Sequence, residues 1–410
     1  MKLIACLFTV FIFYCSFPCV AQSNTALPHT IILDPTLLAE GKARILKSDA
    51  TLMPAYKELL KDANKALLAG PFTVTAKKSA APATDMHDYV SIAPYWFPDP
   101  AKADGLPYIR RDGVHNPEVE NYPDKDVLPS MVDAIEKLTL AYYFSGQEKY
   151  ADRAAFLIRT FFLDTATRMN PNMNFAQAIK GRNDGRGAGI IESRLLVKVV
   201  DGIGLINNSS SWKKEDQLGI EKWFAEMLSW MQTSTNGKDE NNTKNNHGVF
   251  YDMQRMCYAT LTKNAVLQKE IIEKVKYRID HQQAEDGSFP AELERTIGLH
   301  YSTFILKAFY AIAFMAERMP EPVDLWHYVS PSGKSLQKAT EFWYPYASNQ
   351  ATWKWQQIKP YAYSDECVDM LKIASIKYSD TKYEKSIGKV IDDSKAEKHL
   401  SNLVVGIDLK

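Results

Sequence analysis

The chain has 410 residues, with 49 Lys and Arg against 49 Asp and Glu, and so no net charge at neutral pH. A protein without an overall field does not gather nucleic acid by charge alone, and any anionic ligand has to be held by a local group of cations. The length suits one large domain or two smaller ones.

The first 21 residues read as an export leader: Lys2 is the only charge, Leu3 to Val20 is apolar, and Ala21 is a small residue before a cut. A lipoprotein signal ranks second, because Ser16-Phe17-Pro18-Cys19 is a poor version of one. Cleavage removes Lys2 and leaves 48 basic against 49 acidic side chains. It also removes Cys6, Cys15 and Cys19, leaving Cys257 and Cys367 as either one disulfide or two apolar free thiols. The expectation is a periplasmic or secreted protein whose residues 22–410 form a single domain. No later segment reads as long and apolar enough to span a bilayer.

Leu37 to Leu68 shows apolar residues at helical spacing and ends at Ala69-Gly70-Pro71. Pro71 to Asn121 is rich in Pro, Gly, Asp and aromatics and has little periodicity. A long segment of that kind inside a globular protein is usually functional. From Val127 onward the pattern is helical. Pro129 to Phe144, Lys149 to Leu163, Ile190 to Ile206, Lys213 to Gln232, Asn246 to Leu261, Leu267 to Gln283, Tyr301 to Arg318, Ser335 to Tyr346 and Asp365 to Tyr378 read as helices. Leu403 to Ile407 is the best strand signal. So many helices of similar length form either a solenoid or an α/α toroid. No fixed repeat period is present, and the irregular stretches Pro71 to Asn121 and Asn170 to Gly189 suit loops that build a cleft. The fold class is therefore read as all-α: an (α/α) toroid or incomplete α/α barrel of six or seven helical hairpins, with long loops lining a substrate cleft or tunnel.

Four stretches carry chemistry. Asn245-Asn246-His247-Gly248 heads a helix on which His247, Tyr251 and Arg255 share one face at i, i+4 and i+8. Structurally, Asn246 fits an N-cap and His247 a hydrogen-bonded histidine. Arg295 and His300-Tyr301 follow a turn at Asp286-Gly287. The aromatic loop holds Tyr95, Trp96, Arg110 and Arg111; flat rings stack on sugars and guanidinium groups fork onto carboxylates. Gln177, Arg182 and Arg186 lie in an amide-rich loop that fits either a ligand lining or a solvated surface. Trp353 and Trp355 are a sugar platform or core. No zinc-protease, esterase, phosphate-loop, dinucleotide or EF-hand signature is present, and nothing asks for a metal or a cofactor.

In order, His87-Asp88-Tyr89 through Glu118, Asn170-Pro171 through Gln177, Asn183 through Gly187, Asn245-Asn246-His247, and Glu292-Leu293 with Arg295 through His300-Tyr301 resemble the alginate lyase superfamily of polysaccharide lyases. The chain is most similar to polysaccharide lyase family 38 and related to family 5, although its spacing from Arg295 to Tyr301 is one residue shorter than the family 5 pattern. The resemblance implies an α/α toroid that cleaves a 1,4-linked polyuronate, alginate above all, by β-elimination. It implies Asn246, His247, Arg295 and Tyr301 as catalytic residues. Asn246 and Arg295 would neutralise the carboxylate, His247 would be a second neutraliser or the base, and Tyr301 the acid or also the base. Gln177, Arg182, Arg186, Tyr95, Trp96, Arg110, Arg111, Asn245 and His300 would bind the anionic polysaccharide or orient the site. Rival readings are a glucuronan lyase, an α/α-toroid glycoside hydrolase drawing on Asp88, Asp184, Glu192, Asp286 or Glu292, and a glycan-binding protein without catalysis.

Overall fold

The computed structural model describes residues 27–409, so the leader lies outside the described residues. Helices α1 (Pro35–Leu46) and α2 (Met53–Ala66) divide the run expected from Leu37 to Leu68. The break is local. Pro54 opens α2, Ser48 is left-handed at φ 57°, and the Asp49 carboxylate accepts from the Thr51 amide at 2.9 Å. Next, α3 (Asp124–Ser145) begins upstream of the expected Pro129. Acidic groups favour a helix's first turn, and Asp124 is buried there, accepting from the Val90 amide at 2.9 Å and pairing with Lys77 at 3.0 Å.

After α4 (Glu148–Ile158), the single helix expected from Ile190 is a 3₁₀ segment, Gly187–Leu195, followed by α5 (Leu196–Ile206). The chain continues through α6 (Lys214–Thr233), the unexpected short α7 (Thr235–Asn241), α8 (Asn246–Leu261), α9 (Ala265–Gln282), α10 (Pro290–Leu293), α11 (Gly298–Ala316) and α12 (Leu336–Ala347). It then forms α13 (Tyr363–Glu366) and α14 (Val368–Lys377). Helices α3, α5, α8 and α11 touch in succession as an inner layer; α2 and α4 pack on α3, α6 and α9 on α8, and α12 on α11. The inner α5, α8 and α11 are buried almost all round, whereas α9 buries one stripe. The architecture is the α/α toroid. Helix α11 is long and apolar enough to cross a bilayer by composition, contrary to the sequence reading, but nearly all of it is buried inside the protein as a core helix.

Strands appear where irregular chain was expected: β1 (Val90–Ile92), β2 (Trp96–Phe97), β3 (Ile109–Arg110) and β4 (Phe175–Ala178). β1 pairs with β4 in parallel, and β2 with β3 antiparallel, Trp96 opposite Arg110. The base of this loop region is tied by Lys77, whose ammonium donates to the carbonyls of Val74, Met86 and Asp88 at 2.7–2.8 Å. Leu403 to Ile407 forms only an isolated bridge between Gly406 and Leu33. Cys257 and Cys367 are free, buried thiols.

The N-terminal segment is held from inside. Asp201 on α5 accepts from the amides of Ile31, Ile32 and Leu33. Burial pushes its carboxyl up to about 7 against the pull of those hydrogen bonds. Asp201→Ala leaves three buried amides without an acceptor, at ~1–3 kcal/mol each. The expected result is a loss of at least ~3 kcal/mol in denaturant unfolding, with faster amide exchange at Ile31 to Leu33. An unchanged denaturation midpoint would contradict this anchoring role.

Candidate active site

The turn between α7 and α8 is built by buried polar chemistry. Arg278 on α9 donates to the carbonyls of Thr243 at 2.7 Å and Asn241 at 2.8 Å, and pairs with buried Asp252. A Cβ at position 248 would meet the Arg278 guanidinium at 2.3 Å and the Thr243 carbonyl at 2.4 Å, which is why Gly248 follows His247. The N-cap is Asn245 and not Asn246: its side chain accepts from the His247 amide at 3.2 Å. His247 Nδ1 lies 2.7 Å from a carboxylate oxygen of Glu240, which is almost fully buried on α7. With Nδ1–H given to a carboxylate, the neutral ring presents Nε2 as its basic nitrogen. Tyr251 and Arg255 do not extend this polar edge. Tyr251 donates to the Met231 carbonyl at 2.8 Å and Arg255 pairs with Glu270 at 3.0 Å, both in contacts between helices.

Opposite, the one-turn helix α10 leads into α11. Glu292 is fully buried; one oxygen accepts from the Asn246 backbone at 2.6 Å and the other from its side-chain amide at 2.7 Å. Burial pushes Glu292 up to about 7, with the Asn246 hydrogen bonds and the charge of Arg295 acting against it. Asn246 is thereby fixed and buried beneath the cleft, and its carbonyl oxygen has no partner. Arg295 lies over the Tyr301 ring at 3.6 Å and donates to the phenol oxygen at 2.7 Å. Its other contacts go to Asp112, from Nε at 3.0 Å and from Nη2 at 2.7 Å. Burial alone would raise the Asp112 carboxyl, but the hydrogen bonds and charge of Arg295 outweigh it and hold Asp112 well below the usual range. The Tyr95 hydroxyl stands 3.1 Å from that of Tyr301. Burial, and then Tyr95, push the Tyr301 phenol far up, against the pull of Arg295, so it is neutral at physiological pH.

These groups face one cleft of about 360 Å³. Tyr95, Trp96, Arg110, Gln177, Arg186, Asn245, Asn246, His247, Arg295 and Tyr301 all line it. Three expected residues do not. Arg111 lies over Phe97 at 4.9 Å; Arg182 lies over Trp96 at 5.0 Å and donates to the Tyr108 carbonyl; His300 is 3.3 Å from Glu366 and stacks on Phe304. Successive helical residues diverge by about 100°, so His300 points away from the cleft that Tyr301 enters. Trp353 and Trp355 pack on each other and on Tyr346 at the edge of the core. Glu240 and Phe304 carried no motif of their own, and Asp112 lay within the resembling loop without a role; the partnership of Glu240 with His247 depends on a short helix that the periodicity did not mark. Among the described residues lining the cleft Glu240 is the only carboxylate, and it is engaged by His247.

Comparison with known proteins adds three likenesses. The family model described as alginate lyase matches residues 73–353. The crystal structure of an alginate lyase from Bacteroides ovatus superposes with a TM-score of 0.86 at 35% identity, covering 93% of this chain and 100% of that one. Alginate lyase A1-III from Sphingomonas species A1 shares the fold, with a TM-score of 0.53 at 17% identity over 85% of this chain and 90% of that one. A tyrosine-to-phenylalanine variant of A1-III, solved with a tetrasaccharide, matches with a TM-score of 0.51 at 16% identity over 78% and 80% of the two chains. No curated protein sequence matches.

Proposed function

Because the chain belongs to the alginate lyase family and is a polysaccharide lyase, we propose that it cleaves alginate by β-elimination with His247 and Tyr301 as the proton-transfer pair. In this reaction the C5–H bond breaks and its electron pair forms the C4–C5 double bond. The C4–O4 bond breaks with it, and O4 leaves with a proton. The carboxylate at C5 has to be neutralised so that the developing charge is tolerable, a base has to take the proton, and an acid has to meet O4.

One observation carries the assignment: a phenol held by Arg295 and an imidazole held by Glu240 face the same cleft. The neutral phenol suits the acid, and Nε2 of His247 suits the base. In guluronate and glucuronate the C5 proton and O4 lie on opposite faces, so the two residues share the work. In mannuronate they lie on one face, and there the fraction of Tyr301 that Arg295 holds as phenolate takes the C5 proton and returns it to O4. A hydrolase needs two carboxylates across the cleft; the lining offers Glu240 alone, already engaged by His247.

The test is a panel of polymannuronate, polyguluronate, glucuronan and a neutral glucan, each followed by the ultraviolet absorbance of the conjugated C4–C5 double bond. Alginate polymers are expected to give the signal and the neutral glucan none. A signal confined to glucuronan would keep the chemistry and replace the substrate. The reading of residues 1–21, which lie outside the described residues, as an export leader fits action on polysaccharide outside the cytoplasm.

Asp112 acts at one remove. Its charge raises the Tyr301 pKa, whereas Arg295 lowers it. Asp112→Asn leaves the Arg295 charge less compensated, so the alkaline limb of the kcat profile should move to lower pH. Looser placement of Arg295 should lower kcat by ~10-fold or more, with KM changed little. A pH profile that keeps its alkaline limb in place would show that Asp112 does not act through Tyr301.

A further inference from the structure

Glu292 is a buried carboxyl without a paired cation. Both of its oxygens go to one residue: Oε1 accepts from the backbone N–H of Asn246 at 2.6 Å, and Oε2 from Nδ2 of the same residue at 2.7 Å. The titratable and charged groups that face it are Arg295 and the His247 ring. Neither bonds to it. Arg295 donates to Asp112 and to the Tyr301 phenol, and His247 turns Nδ1 to Glu240. A carboxylate withdrawn from water without a partner of opposite charge is unfavourable. A carboxylate at the head of α8 is favoured by the helix dipole, but burial outweighs this and raises Glu292 to about 7. Both protonation states are therefore populated near neutral pH.

The hydrogen bonds of Asn246 differ between those states. An ionised carboxylate only accepts, so it turns the amide nitrogen of Asn246 toward itself. What the side chain keeps for the cleft, which Asn246 lines, is its oxygen, and Oδ1 is buried without a partner. An acceptor there repels the carboxylate of a uronate. A proton on Oε2 inverts the arrangement. The acid O–H donates to Oδ1, the amide turns over without leaving its place, and Nδ2 becomes the atom offered to the cleft. Oε1 still accepts from the backbone N–H, so the first turn of α8 keeps that partner. The turned amide gives the orphaned oxygen a donor. The local chain holds the pair in register: Pro290 opens α10, Phe289 stacks on Phe309 with ring centroids 5.6 Å apart, and Asn246 is the first residue of α8.

We propose that Glu292 is a positioning residue that takes up a proton from solvent when a uronate binds, turns the Asn246 amide over, and so presents an N–H to the anionic substrate. The proton returns to solvent when product leaves. The proposal rests on the lyase reading for its effect on turnover, whereas proton uptake on binding is independent of it. The sign follows from the raised carboxyl: the protonated form is present below about 7 and is lost as pH rises. A bound anion that accepts from Nδ2 favours that form and moves its loss to higher pH in the complex.

The experiment compares wild type, Glu292→Gln and Glu292→Ala. Glutamine reproduces the protonated acid, since its carbonyl accepts from the backbone N–H and its amide donates to Oδ1. The first readout needs no turnover: calorimetric binding of a uronate tetrasaccharide near pH 7.5 in two buffers of different ionisation enthalpy, in the Tyr301→Phe background. Glu292→Gln should take up fewer protons than the parent by ~0.5 or more per site. His247 and Arg295 are common to both proteins, so the difference belongs to Glu292. The second readout is the pH profile of kcat/KM on alginate oligomers, which reports groups of the free enzyme. The wild-type profile should fall by up to ~10-fold per pH unit above about 7, and Glu292→Gln should lack that fall. Glu292→Ala strands both Asn246 donors and should lie at least ~10-fold below Glu292→Gln. Equal proton uptake with glutamate and glutamine would overturn the proposal. So would a Glu292→Gln profile that keeps the fall, or a glutamine variant as weak as alanine with unchanged thermal unfolding. If Glu292→Gln does not fold, titration of the Tyr301→Phe protein across pH decides: uptake should vanish below about pH 5.5 and grow toward 7.5, and no uptake at 7.5 would overturn the proposal. Absence of unsaturated product from wild type would instead overturn the lyase reading, and the calorimetric arm would still show whether Glu292 takes the proton.

Discussion

Tyr301→Phe should lower the rate of double-bond formation by ~10²–10⁴-fold, the contribution typical of a positioned acid or base. The effect should fall on kcat. The Tyr301 hydroxyl touches Arg295 at 2.7 Å and Tyr95 at 3.1 Å and carries no other hydrogen bond among the described residues, whereas the ring is buried at the head of α11. Phenylalanine keeps the ring and its contact with the guanidinium, so thermal unfolding should stay close to wild type. Initial rates on alginate with a parallel unfolding curve check both halves. A variant that keeps a tenth or more of the wild-type rate would remove Tyr301 from the acid's role; one that unfolds early would make the loss structural.

The second large effect belongs to His247, and it should depend on the polymer. In His247→Gln the amide can still donate to buried Glu240, which avoids stranding that carboxylate, but no basic nitrogen remains. On polyguluronate, where proton and leaving group lie on opposite faces, the expected loss is ~10²–10⁴-fold. On polymannuronate Tyr301 reaches both positions, and the loss should be at least ~10-fold smaller. Separate rates on the two homopolymers give the answer. Equal losses on both would mean that His247 acts on the carboxylate or on binding, and that the division of labour by stereochemistry is wrong.

What could be read from the residues divides along local and distant chemistry. The limits of α8 were legible because an asparagine cap and an apolar repeat are local signals. The break between α1 and α2 was masked by apolar spacing that runs through Pro54. Within the site, the Asn245 to His247 and Arg295 to Tyr301 stretches were visible as clusters of reactive groups, but their partners were not. Asp112 meets Arg295 from 183 residues away, and Glu240 reaches His247 only because Arg278 closes the turn from the next helix. Neighbourhood in sequence misled at His300, which a single helical step turns from the cleft toward Glu366. Arg111 and Arg182 were drawn from loops whose arginines face both ways, and they support Phe97 and Trp96 from outside the cleft. The resemblance to known lyases ordered these fragments, and the geometry then sorted the side chains that face the cleft from those that do not.

The most direct test of elimination in this cleft is the mass of the oligosaccharides that the wild-type protein releases from polyuronate. Elimination yields a new non-reducing end that lacks the elements of one water relative to the hydrolysis product. Every released oligomer except the one that carries the polymer's original non-reducing end is expected at the dehydrated mass, and the same products should disappear in Tyr301→Phe. Oligomers found only at the full hydrated mass would mean that water enters the bond, and would contradict the assignment of His247 and Tyr301 as a proton-transfer pair for β-elimination.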